Sequence, residues 1–110
     1  MDPVSADPGD GARLIVTADG AARLEGAMDF DTVTALLATG EILLRRPGLL
    51  QIDLGGVSSS NSAGLALLLE WMDLARSRQV DLTFVNLPDS LRRIAALSNL
   101  EALLPLGQAS

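Results

Sequence analysis

The chain has 110 residues, room for one compact domain with a modest core and none for a catalytic domain plus a regulator. Its 48% hydrophobic and 20% charged residues are ordinary globular proportions. The absence of Cys and His excludes disulfide scaffolds, thiol nucleophiles and imidazole triads, and the net charge of −6 argues against nucleic acid or an anionic membrane as the main partner.

Part of that charge is local. Asp2, Asp7 and Asp10 lie in the Pro/Gly-rich opening MDPVSADPGDG, read as a flexible acidic tail over residues 1–11, with one domain over residues 12–110. The opening lacks the basic start and apolar centre of a secretory signal, and no run approaches the roughly 18 apolar residues of a membrane helix. A cytoplasmic protein without direct membrane insertion is expected.

From Arg13 to Glu25, two short apolar runs flank Asp19-Gly20, a dipeptide suited to the positive φ angles of a tight hairpin turn. After Gly26 the period changes. Val33, Leu36, Leu37, Gly40 and Leu44 fall at helical spacing, with Asp29 or Asp31 placed to cap the start. Arg45-Arg46 and Pro47-Gly48 mark the end of that helix.

The run Leu49 to Leu54 reads as a central strand, and the small polar residues Gly55 to Asn61 as a loop. A long helix follows from Ser62 to about Arg78, then a strand from Val80 to Val85 with Leu82 and Phe84 on one side. The last helix starts near Asn86-Leu87-Pro88-Asp89, with Asn86 and Asp89 as a reciprocal capping pair, and buries Leu87, Leu91, Ile94 and Ala95. Beyond Asn99 the chain is either a short edge strand limited by Pro105 or an irregular tail. The order ββαβαβα, with a possible short last strand, predicts an α/β domain: a mixed sheet with helices packed on it.

On the long helix, turning each residue by about 100° puts Gly64, Leu68, Trp71 and Ala75 on the core side. Ala66, Leu69, Asp73 and Arg76 fall opposite, near Ser62. Leu69 in that arc is either an ordinary exposed leucine or part of a protein-binding face. Ser62 is either a helix cap or an exposed point for recognition or phosphorylation. Trp71 is expected in the core rather than at an interface. Asp53 is expected to organise the neighbouring loop, since catalysis would need an opposing acid, base or metal, with Asp29 and Asp31 the candidates to approach it. Gly55-Gly56 does not make a phosphate loop, because the sequence has neither the Walker pattern nor any Lys. Arg92-Arg93 is a secondary candidate for a docking surface.

Ile52-Asp53-Leu54, the short loop, and then Asn61 through Leu69 (NSAGLALLL) resemble the strand, loop and helix start of STAS domains, the fold of anti-sigma-factor antagonists. Gly26-Ala27-Met28-Asp29-Phe30-Asp31 is similar to the family's turn into its first helix, with Ala27 where Glu is usual. Within the family, the run from Gly64 to Leu69, its continuation Met72-Asp73-Leu74-Ala75-Arg76, and Arg92-Arg93-Ile94-Ala95 resemble the small STAS subunits of phospholipid ABC transporters of Gram-negative bacteria. The resemblance implies a non-enzymatic adaptor without a cofactor. It would dock on the transporter's cytoplasmic ATPase, reach the membrane permease only indirectly, and support assembly and activity in outer-membrane lipid asymmetry.

Carried over by position, Ser62 contacts the partner or accepts phosphate, flanked by Asn61 and Ala63. The expected partner-binding set is Asn61, Ser62, Ala63, Ala66, Leu69 and Asp73. Phosphorylated relatives carry Asp-Ser where this chain has Asn61-Ser62. The alternative function is an anti-sigma-factor antagonist switched by phosphorylation of Ser62.

Overall fold

In the computed structural model, residues 12–45 and 47–107 are described. The acidic tail over residues 1–11 lies outside that range, as does Arg46. The chain begins with β1 (Arg13–Ala18) and β2 (Ala21–Met28), an antiparallel hairpin pairing Arg13 with Glu25 and Leu14 with Leu24. Gly20 supplies the positive φ of +77° that closes the turn. Helix α1 (Val33–Leu43), β3 (Gly48–Ser60), α2 (Ser62–Arg78), β4 (Val80–Val85) and α3 (Asp89–Leu97) follow. A one-turn 3-10 helix at Glu101–Leu103 comes after α3.

The strands lie in the order β1-β2-β3-β4, with β2, β3 and β4 parallel. The result is the mixed α/β sheet that the element order predicts. Past the 3-10 turn no further strand forms among the described residues, only a single parallel bridge. Leu106 bridges Phe84, with the Phe84 N–H donating to Pro105 O at 2.9 Å and the Gly107 N–H donating to Phe84 O at 2.8 Å.

Strand alternation sorts the sheet into two faces. Leu24, Met28, Leu50, Ile52, Leu54, Leu82 and Phe84 point to one side, where they form a single buried cluster with Leu36 of α1, Leu65, Leu68 and Trp71 of α2, and Leu91 and Ala95 of α3. The other face is mixed, with Ile15 and Leu49 exposed on it beside charged residues. There Arg23 pairs with Glu25 at 3.0 Å and with Asp53 at 3.2 Å, linking β2 to β3.

Three local expectations need correction. The stretch from Gly55 to Ser60 is strand rather than loop, because β3 stays paired to β2 through Gly56, Val57, Ser59 and Ser60 across two register shifts. Glycine there reflects crowding: a Cβ on Gly56 would lie 2.7 Å from Cγ of Glu25. At the start of α3, Asn86 and Asp89 do not cap one another. Pro88 is the cap residue and makes no side-chain cap bond, while the Asn86 amide donates to Asp53 Oδ1 at 3.0 Å. Finally, α1 ends at Leu43, ahead of the arginines.

Candidate functional site

Asn61 sits in extended backbone before α2, and its Oδ1 accepts the Ala63 N–H at 2.9 Å. Asn61 is therefore the N-cap, and Ser62, the first helical residue, is exposed without capping anything. The capping role expected of Ser62 belongs to its neighbour. Just inside the helix, Gly64 lets α2 sit directly on the strand ends, because a Cβ there would collide with Ser60 Oγ and come within 3.3 Å of Met28.

The expected face of α2 divides by depth. Ser62, Ala66 and Asp73 are exposed, Asn61 is half-buried, and Ala63 is buried. Leu69 is half-buried and packs on the core cluster, which corrects the expectation that it has no core role. Asp73 lies 3.8 Å from Arg76 in an exposed i,i+3 pair, a contact of little energetic weight. Gly64, Leu68, Trp71 and Ala75 are buried as the helical spacing predicts.

The turn into α1 completes the site. Asp29 Oδ1 accepts the N–H groups of Asp31 at 2.9 Å and Thr32 at 3.1 Å, and Thr32 Oγ1 in return accepts the Asp29 N–H at 3.0 Å. Between the two acids, this turn holds Phe30 outward at 71% exposure. An apolar groove of about 320 Å³ runs between the helices, lined by Phe30, Val33, Thr34 and Leu37 on one side and Ala63, Ala66, Leu67 and Glu70 on the other. The sequence reading of a single helix missed Phe30 and the whole α1 wall. The available signal was an aromatic residue opening a helix whose only charge is Glu41.

Trp71 lies wholly inside the core, with its indole N–H unpaired and against Gly40 of α1, where a Cβ would overlap the ring. Asp53 is a structural tie. Its Oδ1 accepts the Gly55 N–H at 2.7 Å and the Asn86 amide, and its Oδ2 meets Arg23. Partial burial raises its pKa, but the Asn86 and Gly55 hydrogen bonds and the Arg23 charge outweigh that, leaving the carboxyl below its ordinary 3.8. Asp29 does not approach it: Asp53 pairs with Arg23, whereas Asp29 follows Met28, which pairs with Ser60 at the far end of β3. Arg93 is exposed, and Arg92 pairs with Glu101 at 3.2 Å.

A four-stranded mixed sheet with its helices on one face, and a capped helix start at the end of the long parallel strand, define the STAS fold. Solved structures agree. The anti-sigma factor antagonist SpoIIAA in its unphosphorylated form superposes with a TM-score of 0.69 at 15% identity, over 91% of this chain and 89% of that one. An anti-sigma factor antagonist from Mycobacterium paratuberculosis superposes with a TM-score of 0.71 at 26% identity, over 91% of this chain and 87% of that one.

The family model described as "Mlab, STAS domain" matches residues 15–105, and the chain belongs to that family. It is also 35% identical over 79 residues to the intermembrane phospholipid transport system binding protein MlaB of Escherichia coli K12, covering 72% of this chain and 79% of that protein. The MlaB of Shigella flexneri matches to the same extent.

Proposed function

We propose that this chain is a non-enzymatic adaptor that binds the ATPase subunit of an Mla-type phospholipid ABC transporter and supports its assembly and activity. The observation that carries this reading is the 35% identity to MlaB over 72% of the chain. The contact surface is the start of α2, with Ser62 and Ala66 outermost, Asn61 and Ala63 shaping the helix entry, and Leu69 and Asp73 continuing the face. Small exposed residues there permit close approach of a partner backbone. No helix among the described residues is long and apolar enough to cross a membrane. In this reading the adaptor sits at the inner membrane through the transporter and meets the permease only through the ATPase.

Co-purification with the ATPase subunit from the same organism tests this. Ser62→Arg with Ala66→Arg should abolish it while leaving the melting temperature unchanged, since both positions are exposed. Retained binding by the folded double variant overturns the surface.

The exposed Ser62 hydroxyl favours a second reading, an anti-sigma-factor antagonist phosphorylated at that residue. Phosphate would add about −1.5 to −2 charges at a helix N-terminus. It predicts a one-phosphate mass increase with the partner kinase, lost in Ser62→Ala.

A further inference from the structure

Three features of the α1/α2 groove go together. Its walls are apolar or small except at one point, where Glu70 is exposed and has no ion pair or side-chain hydrogen bond among the described residues. Phe30 stands at the rim, 71% exposed, on a turn that hydrogen bonds hold in place. The α1 wall itself is largely apolar, with Val33 and Leu37 half-buried along it. Aromatic residues beside concave apolar surface are the usual energetic centres of protein interfaces, and a lone charge at the margin sets register and partner sign.

We infer that the groove receives a basic amphipathic segment of the ATPase subunit: a bulky aliphatic or aromatic side chain packed against Phe30, Leu37 and Leu67, and an Arg or Lys paired with Glu70. This rests on the adaptor reading above and specifies the partner's chemistry at that site. Glu70 follows Leu67, part of the apolar wall, by three residues of α2, about 4.5 Å along the axis. The basic residue therefore lies roughly one helical turn from the apolar anchor on the partner segment. An acidic or uncharged segment would leave the carboxylate facing a desolvated wall without compensation.

The test uses the full chain and the purified ATPase subunit of the same organism. Affinity is measured by calorimetry for wild type, Phe30→Ala and Glu70→Lys, with thermal melts confirming the fold of each. A photo-crosslinking residue is placed at Thr34 on the groove wall. Phe30→Ala and Glu70→Lys should each weaken binding by about tenfold or more. The crosslink should map to an ATPase segment containing Arg or Lys, and changing that residue to Glu should restore binding to Glu70→Lys. Wild-type affinity in both folded variants, or a crosslink to a second copy of this chain or to an ATPase segment without a basic residue, overturns the inference while leaving the adaptor reading standing. Failure of the wild-type chain to bind the ATPase overturns both.

Discussion

Helices α1 and α3 both pack against α2, yet they dispose of their apolar residues in opposite ways. In α3, Leu91 and Ala95 are fully buried while Asp89, Arg92 and Arg93 face outward, the division expected of a helix laid on a core. In α1, 11 residues include one charge, and only Leu36 and Gly40 are buried. Ile42, together with Phe30 just before the helix, is left in solvent. Single exposed apolar residues are common, and α3 itself leaves Leu97 exposed at its end. What sets the α1 side apart is that Phe30 stands at the rim of a groove. The apolar stripe of α3 is buried within the chain, whereas the α1 side carries the groove proposed to receive a partner segment.

Stability measurements can break this contrast. Leu91→Ala should have the largest effect, roughly 2–5 kcal/mol in urea denaturation, with unchanged affinity for the ATPase in the fraction that remains folded. A loss of affinity at wild-type stability would erase the distinction between the two sides. Gly40→Val comes next. A Cβ at Gly40 overlaps the Trp71 indole, so the overpacking should cost about 1–3 kcal/mol. Because the chain has one Trp, a shift in tryptophan fluorescence reads the displacement of α1 directly, and affinity for the ATPase should fall with it.

On the α3 side, Asp53 ties the end of β4 to β3 through Asn86. Its folded-state pKa lies below the ordinary 3.8, so its stabilising contribution is complete above about pH 5 and fades as pH falls through 3.8 towards the folded-state value. Asp53→Asn should make the decline in melting temperature between about pH 5 and pH 3 shallower. An equally steep decline would show that the tie carries no charge-dependent stability. The smallest effects on stability belong to exposed residues. Phe30→Ala should change it by no more than about 0.5 kcal/mol, despite weakening partner binding, and Arg92→Ala by a similarly small amount. A large loss of stability in Phe30→Ala would mean that the ring serves the fold rather than a partner.

Much of the fold is legible in the residues. Asp19-Gly20 placed the hairpin, the spacing of Gly64, Leu68, Trp71 and Ala75 placed the buried side of α2, and the Val80 to Val85 run placed β4. The errors share a cause. Gly55 to Ser60 have little intrinsic preference for strand, and only parallel pairing with β2 extends them. Likewise, nothing local says that Asn86 turns away from its own helix to reach Asp53, a residue 33 positions earlier.

The candidate site shows the same division. Helical periodicity brings Ser62, Ala66 and Asp73 to one surface from the sequence alone. Periodicity gives angles about one axis, however, and not what lies beside the helix. It could not say that Leu69 leans on the core, that Asn61 rather than Ser62 caps α2, or that α1 lies close enough for Phe30 and Glu70 to share a groove. Composition and local periodicity suffice for a small α/β domain lacking His and Cys, with one helix bearing a small-residue outer face. The groove and its charge depend instead on the packing of α1 against α2, which Gly40 sets by close contact with Trp71.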